Sequence, residues 1–338
     1  MRRIASVAGR RLAVVPLTML GLLTLTFVIM RVLPQDQASL RLGSGATPEA
    51  VAQLNRELGL DRPILSQYVD YLSGALRGDL GTSYRTSQGV LQDLIERFPA
   101  TLELIGYSLV LALVIALPAA VFLALRPQSR FRRVARIYAL VAGGLPDFWI
   151  SLLLIYFFYY RFQIAPPPLG RLPLDAIEPA RVTGLLTVDS LLSGQPGTAI
   201  GALKQLALPV VALAFVSGGA FFKMFLASMQ ETVNSPYVAH ARALGVPSRL
   251  LIWQIMRAAF PPTLTLVSVQ TTFLLGGAVL VESLFAWDGL GRYAVDAITG
   301  ADFAAVQGFV LVAGLFTVVV YLISDVVHAA LDPRIELK

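Results

Sequence analysis

The sequence has no cysteine and few charged residues. Without cysteine, its 338 residues cannot form disulfide bridges or hold a metal or iron–sulfur cluster through thiolates. Charged residues make up 14% of the chain, against about 25% in an ordinary soluble domain. The composition therefore excludes an ordinary soluble globular protein.

The sequence also lacks the motifs of nucleotide hydrolysis and of zinc catalysis. It contains no G-x-x-x-x-G-K-S/T pattern, whose backbone would hold the phosphates of ATP. It contains no H-E-x-x-H pattern, and its two histidines are His240 and His328. We predict that the chain is not an enzyme, that no residue is catalytic, and that it holds no metal or cofactor of its own.

Hydrophobic residues, by contrast, make up 56% of the chain. Six runs are close to the roughly twenty apolar residues needed to cross a bilayer. The first run could be a signal peptide, but it is too long and lacks a small-residue cleavage site, so we interpret it as a retained span. We predict an all-α integral membrane protein with six transmembrane helices, of which the second and third are kinked at Pro118 and Pro146. The predicted spans lie near 12–33, 100–125, 137–160, 206–230, 261–284 and 304–329.

Two polar segments interrupt these runs. Segment 34–97 contains a helix signal, with Thr47 as N-cap, Pro48 in the first turn and Gly59 just beyond the end. Two further amphipathic pieces, "ILSQYVDYLSGAL" and "VLQDLIERF", complete a small helical layer outside the membrane. Segment 162–205 is rich in proline and glycine and predicts an irregular loop with one short helix. The expected divisions are 1–33, the N-terminus and first span; 34–97, the external layer; and 98–338, the core with a cytoplasmic coupling loop at 231–262.

The distribution of lysine and arginine predicts the orientation. Basic residues precede the first span, fill the loop between the second and third spans, and surround the loop between the fourth and fifth. The net charge of +6 thus points to basic cytoplasmic loops rather than to nucleic acid. We predict that both termini are cytoplasmic and that 34–97 and 162–205 are external. The arginines that carry this inference are Arg2, Arg3, Arg10, Arg11, Arg126, Arg130, Arg132, Arg133, Arg136, Arg242, Arg249 and Arg257.

A short basic segment between the fourth and fifth spans has its own helix signals. Ser235 can cap a helix, Pro236 suits its first position, and Gly245 can end it in a left-handed conformation. A helix this short is marginal alone in water and needs a surface to hold it. Composition alone is equally compatible with an ordinary basic loop. A second short helix is expected to follow over "SRLLIWQIMRAAF".

The segment "YVAHARALG" resembles the cytoplasmic EAA loop of ABC importer permeases, in the form found in the peptide-permease branch. Three positions depart from the common pattern: Ala239 stands where many members have Glu, His240 where Thr is common, and Leu244 where Lys is common. The resemblance implies a coupling helix that contacts an ATPase. Its contact residues would be Tyr237, Ala239, His240, Ala241, Arg242, Ala243 and Gly245.

Several other segments resemble the B-type permease subunit of dipeptide and oligopeptide ABC importers, in the same order along nearly the whole chain. They are "RVLPQD", "ELGLDRPILSQYVDYL", "LRGDLGTSYRT", "LPDFWISLLL", "VLVESLFAWDGLGRYAVDAITGADFAAVQG" and "DPRIELK". The resemblance implies the type I ABC importer permease fold in the bacterial inner membrane. The implied partners are a second, related permease subunit, two cytoplasmic ATPases that carry ATP and Mg, and an external solute-binding protein.

The expected function is one half of a peptide translocation path, in which partner ATPases drive alternating access. The same family also carries nickel chelates, glutathione, opines and oligosaccharides, and the sequence does not choose among these solutes. A secondary transporter would favour charged residues in mid-membrane and inverted repeats, and neither is evident. A membrane-embedded enzyme and a purely structural subunit are further alternatives.

A few residues invite a functional interpretation that we do not favour. Glu282 and Asp325 lie near span ends, where acids are candidates for function, but packing roles are preferred for both. Lys223 is expected to extend to the cytoplasmic surface, and His328 to lie at the membrane interface. The aromatic run 156–162 is typical of an interfacial belt. No residue is assigned to the substrate path.

Overall fold

The computed structural model describes residues 2–32, 42, 45–57, 59 and 61–331. Within these residues the secondary structure is helical, apart from one isolated β-bridge between Thr82 and Gly89. The helices are α1 (Arg2–Val32), α2 (Pro48–Glu57), α3 (Ile64–Leu76), α4 (Val90–Leu125), α5 (Phe131–Gly144), α6 (Asp147–Leu154, continued as a π-helix over Ile155–Arg161), α7 (Leu186–Leu192), α8 (Pro196–Val233), α9 (Pro236–Ala243), α10 (Ser248–Ala259), α11 (Pro261–Leu284), α12 (Leu290–Thr299) and α13 (Phe303–Leu331).

Several of these helices are long and apolar enough to cross a membrane. In the described part of the chain four qualify, namely α4, α8, α11 and α13, and α5 with α6 would make a fifth if the bent pair is one span. The apolar stretch of α1, Ala13–Ile29, is shorter. The multi-span, all-helical prediction is therefore confirmed, whereas the count of six spans stays a prediction.

The predicted third span is broken rather than kinked. The axes of α5 and α6 differ by 112° across the break at Leu145 and Pro146. A proline disfavours helical backbone in the residue before it, and Leu145 is accordingly extended, with φ −104° and ψ 134°. Pro146 then becomes the residue that precedes the first turn of α6. The helix stops and restarts here because the proline acts on Leu145 as well as on its own hydrogen bond.

Two long helices begin earlier than predicted. The segment "VLQDLIERF" is the start of α4 and not a separate external helix, because α4 runs from Val90 to Leu125 through Pro99 and Pro118. In the same way α8 begins at Pro196, so 196–205 is helix and not loop. A kink at Pro118 stays a prediction. The short helix expected between the third and fourth spans is α7.

The first compact unit comprises the described parts of 1–99 and 288–322. The sequence prediction for α2 is confirmed, with the Ala50 N–H donating to the Thr47 side-chain oxygen at 3.3 Å and Gly59 at φ +64°. Phe27 of α1 is buried against Tyr68 and Tyr71 of α3. The core of this unit joins the start of α4 to α12 and α13, through Val90, Leu94, Leu290, Tyr293, Ala297, Ala305 and Val306.

The second unit comprises 100–287 and the described part of 323–338. Helix α8 packs against α5, α6, α7, α10 and α11, and is the most extensively buried helix of this unit. Small residues allow the close approach of α5 and α8. A Cβ atom added to Gly219 would lie 2.6 Å from the Cβ of Ala142, well inside van der Waals contact. These residues fix how the helices that carry the candidate site are packed.

Candidate functional site

Helix α9 carries the clearest functional prediction from the sequence, and its start is capped as expected. Ser235 has extended backbone, and its side-chain oxygen accepts a hydrogen bond from the Val238 N–H at 3.4 Å. The same hydroxyl donates to the carbonyl of Thr232 at the end of α8, at 2.7 Å. Pro236 occupies the first helical position, where its missing N–H removes no bond. The cap therefore ties the start of α9 to the end of α8.

The end of α9 is a Schellman motif. The Val246 N–H donates to the carbonyl of Ala241 at 3.1 Å, and the Gly245 N–H donates to that of Arg242 at 3.0 Å. Gly245 has φ +75°, a conformation that residues with a Cβ rarely adopt. The predicted role of Gly245 as the helix terminator is confirmed. A two-turn helix with both ends satisfied in this way has a defined length and direction.

Two side chains of α9 pack against the other helices of the second unit. Val238 is fully buried and Ala241 is 7% exposed. Both belong to one apolar cluster with Phe225 and Met229 of α8 and with Leu251 and Ile255 of α10. Ala241 is among the residues predicted to contact a partner; that role stays a prediction, and most of its side chain lies within this cluster. Ala241 follows Val238 by three positions, so both side chains lie on the same face of α9, the face that packs against α8 and α10.

The other predicted contact residues are exposed. Tyr237, Ala239, His240, Arg242, Ala243 and Gly245 all lie on the solvent-accessible side of α9. Tyr237 also donates a hydrogen bond from its hydroxyl to the side-chain oxygen of Gln254 on α10, at 2.8 Å. On α10, Trp253 is 62% exposed. Segment 236–259 contains three arginines and no acidic residue, so α9 and α10 present a basic surface with large apolar side chains.

The remaining candidates from the sequence have packing roles or lie at helix ends. Glu282 is fully buried and accepts a hydrogen bond from the Thr101 hydroxyl at 2.6 Å. His328 contacts the Thr265 hydroxyl at 3.1 Å and the Ser324 carbonyl at 2.9 Å. Asp325 is partly buried and Lys223 is exposed. No group of three or more potential metal ligands occurs among the described residues.

A buried ion pair that the sequence did not reveal fastens the loop 162–185 to α4. The carboxylate of Glu103, with a side chain 1% exposed, accepts a hydrogen bond from the Arg171 guanidinium at 2.7 Å. Its other oxygen accepts from the N–H and the hydroxyl of Thr187 on α7, at 2.8 and 2.6 Å. The guanidinium of Arg171 also lies 5.8 Å from the ring centre of Trp287. Helix periodicity carries no information on this contact, because its partners are far apart in sequence.

A second carboxylate organises the end of the same loop. The side chain of Asp189 accepts hydrogen bonds from the backbone N–H groups of Val182, Thr183 and Gly184 and from the Thr183 hydroxyl. Burial opposes the charged form, but these hydrogen bonds outweigh it and lower the pKa of Asp189. Carboxylates therefore hold the loop of the second unit at Arg171 and at its end, in spite of its proline and glycine content.

The first unit contains a polar cavity of about 360 Å³ between α12 and the residues that precede α4. Arg97 pairs there with Asp93 at 2.7 Å and with Asp288 at 3.3 Å. Burial, assisted by the nearby Asp93 charge, raises the pKa of Tyr293 well above its usual value. The sequence prediction missed α12 itself, although Leu290, Tyr293, Ala294 and Ala297 follow the helical spacing that would have revealed it.

The all-helical architecture with several long apolar helices is that of a multi-pass membrane protein. Comparison with protein families is specific. Residues 116–337 match the family described as "Binding-protein-dependent transport system inner membrane component", and residues 5–105 match the N-terminal domain of such membrane components. The chain belongs to this family of inner-membrane transport components. The predicted permease fold is therefore confirmed.

Individual relatives are similar over almost their whole length. The probable D,D-dipeptide transport system permease protein DdpB of Escherichia coli (strain K12) is 37% identical over 320 residues, which is 94% of each chain. The dipeptide transport system permease protein DppB of the same strain is 34% identical over 335 residues, 97% of this chain and 98% of the relative. The di/tripeptide transport system permease protein DppB of Pseudomonas aeruginosa (strain UCBPP-PA14) is 34% identical over 333 residues, 98% of each.

Proposed function

We propose that this chain is a permease subunit of an ATP-driven importer of short peptides, and that α9 is its coupling helix. The chain forms half of the translocation path beside a second, related permease subunit. Two cytoplasmic ATPases bind ATP and Mg and hydrolyse the nucleotide, and an external binding protein delivers the peptide. Both termini and α9 lie on the cytoplasmic side, and 34–97 and 162–205 lie outside.

The observation that carries the coupling role is the geometry of α9. It is a short helix with both ends satisfied and with Val238 and Ala241 buried beneath it, and its outer face combines Tyr237 with small and basic side chains. A solvated loop would need neither a cap nor a buried seat. The alanines of the outer face, Ala239 and Ala243, allow another surface to approach closely. The peptide substrate is supported by the names of the relatives, which are dipeptide, D,D-dipeptide and di/tripeptide permeases.

The coupling role is tested by a charge placed on the outer face. Ala243→Asp puts a carboxylate on an exposed position of α9 without disturbing the cluster beneath it. Within a partner groove that charge would be desolvated without a counter-ion, which is costly. We expect the variant to insert normally, to lose uptake, and to retain less ATPase on co-purification. The matched control is Ala180→Asp, the same change at an exposed alanine of the loop 162–185.

Both variants are measured in the reconstituted complex, with and without the loaded binding protein, for ATP hydrolysis and for uptake of a labelled dipeptide. Full hydrolysis and full uptake by Ala243→Asp would show that α9 is a solvated loop. Uptake that continues without ATP would show secondary transport. ATP-driven uptake of a nickel chelate or glutathione, but of no peptide, would retain the machinery and overturn the peptide assignment.

A further inference from the structure

The exposed face of α5 is unusual for a helix next to apolar spans, because it combines arginines with large apolar side chains. Its inner face consists of Ala135, Ala139 and Ala142, which pack on α8. Arg132 and Arg136 lie at the edge of that face and Arg133 lies further round the helix; all three are exposed. Large apolar side chains cover much of the remaining exposed surface, namely Phe131, Val134, Ile137, Leu140 and Val141. Helix α5 thus has an alanine face that packs on α8, and an exposed surface of basic and apolar side chains.

A cavity of about 280 Å³ lies between this face and α8. Three cationic side chains line it: Arg132 and Arg136 from α5 and Lys223 from α8. The ammonium group of Lys223 reaches across to α5, since it lies 2.9 Å from the position that a Cβ on Gly143 would take. The remaining wall is largely apolar and includes Leu123, Leu140, Phe222 and Leu226. The cavity therefore has a positively charged part and a hydrocarbon part.

The part of the chain that the structure describes places no carboxylate against the positive charge of this cavity. Among the described residues, no carboxylate lies within 4.0 Å of Arg132, Arg136 or Lys223. One guanidinium nitrogen of Arg132 donates to the carbonyl of Pro127 at 3.1 Å. No acidic residue occurs between Glu103 and Asp147, and the nearest on α8 is Glu231 at its end, outside the cavity lining. An anion with an apolar portion would complement such a site in both charge and polarity.

We propose that the cavity between α5 and α8 is a binding site for one anionic phospholipid. The phosphate lies between Arg136 and Lys223, with Arg132 nearby, and an acyl chain covers Leu140, Phe222 and Leu226. Basic pockets between transmembrane helices, at the level of the head groups, are suited to anionic lipids. The assignment depends only on membrane embedding, and neither on the coupling role of α9 nor on the substrate.

The decisive comparison uses two variants that remove the same amount of charge. Arg136→Gln with Lys223→Gln removes two cations that line the cavity. Arg130→Gln with Arg133→Gln removes two cations of the same loop and helix that line only the neighbouring cavity. The full-length chain, in complex with its partners, is placed in nanodiscs of phosphatidylcholine with phosphatidylglycerol. It is then released into detergent, and retained phosphatidylglycerol is counted by native mass spectrometry.

We expect Arg136→Gln with Lys223→Gln to lower phosphatidylglycerol retention roughly 30-fold, as follows from the usual contribution of a cation near a charged lipid surface. The control cations do not line the cavity, and attraction to a head group weakens with distance, so the control pair should change retention by less than about threefold. Equal losses in the two pairs would show a diffuse electrostatic attraction and no site. Unchanged retention in the cavity pair would also overturn the proposal. Inorganic phosphate added to the wild type should displace little lipid, and full displacement would identify a free-anion site instead.

A photo-crosslinking amino acid at Leu140 identifies what covers the apolar part of the cavity. Leu140 is 66% exposed, so the substitution does not disturb the alanine face on α8. The expected product is an adduct with phospholipid in native membranes, and one that is lost in the Arg136→Gln and Lys223→Gln background. An adduct with the second permease subunit or with an ATPase would assign this face to a protein interface and refute the lipid site.

Discussion

The buried pair of Glu103 and Arg171 allows a quantitative prediction, because its two members differ in access to water. The Glu103 side chain is 1% exposed and the Arg171 side chain is 19% exposed. Replacing Arg171 with Met leaves a buried carboxylate with only the two hydrogen bonds from Thr187. Removal of one partner of a buried ion pair typically costs about 3 kcal/mol. Replacing Glu103 with Gln keeps an acceptor in place and leaves a cation that can reach water, so we expect about 1 kcal/mol.

The measurement is limited proteolysis of the loop 162–185, with cleavage after the exposed Arg181. When opening is fast relative to cleavage, the rate follows the population of the open loop. We therefore expect cleavage in Arg171→Met to be faster by roughly 100-fold, and in Glu103→Gln by roughly fivefold. Cleavage after the exposed Arg77, in the other unit, is the internal control and should not change.

The double variant completes a mutant cycle. With both charges absent, no buried carboxylate is left alone, so the double variant should open less readily than Arg171→Met. Equal rates in the two single variants would refute the argument from unequal exposure. Rates in all variants within about twofold of the wild type would show that the pair does not hold the loop.

Three further predictions test other parts of the molecule. Gly245→Val should shorten or destabilise α9 and reduce ATP-driven uptake, because Gly245 has φ +75°. Gly245→Asn should retain uptake, since asparagine tolerates this conformation. Equal uptake by both variants would contradict the strain argument. In a chain without native cysteine, Gln53→Cys should react with an impermeant maleimide in intact cells and Gln128→Cys only after lysis of the inner membrane; the reverse pattern would overturn the orientation. Folding lowers the pKa of Asp189 below 3.8, so the Asp189 carboxylate contributes its full stabilisation above pH 3.8 and loses it as the pH falls through the folded pKa. The thermal midpoint should therefore fall less steeply with acid in Asp189→Asn than in the wild type. The same dependence of the midpoint on pH in both proteins would contradict this.

Much of the helical framework was predictable because local signals act locally. The bounds of α2, α9 and α11 follow from residues such as Thr47, Ser235 and the Pro261–Pro262 pair, which act on neighbouring backbone groups. The sequence predicts only a kink before α6, because the apolar run is continuous there, whereas Pro146 also forces Leu145 out of the helical conformation and ends the helix. Helix α12 was overlooked because its apolar spacing lies between two runs that dominated the hydropathy pattern.

In the candidate site, too, local features were predictable from the sequence and contacts between distant residues were not. The caps of α9 and the left-handed Gly245 depend on residues within a few positions of each other, and the sequence predicted both. The inward orientation of Ala241 depends on α8 and α10, which no local pattern specifies. Likewise the pairing of Glu103 with Arg171 joins residues 68 positions apart. Contacts of this kind arise from the packing of the unit, and a single sequence does not contain them in readable form.

The seat of α9 has a mechanical consequence. Val238 and Ala241 share one buried cluster with Phe225 and Met229, and the Ser235 cap bonds directly to the last turn of α8. The connection between α8 and α9 is therefore rigid, since close-packed interiors resist compression. Helix α8 has 38 residues, which corresponds to a rod of about 57 Å at the usual helical rise. A tilt of about 5° imposed at its α9 end would displace the far end by about 5 Å on a rod of that length. Under the proposed coupling role, a small movement of α9 would therefore be enlarged at the other end of α8.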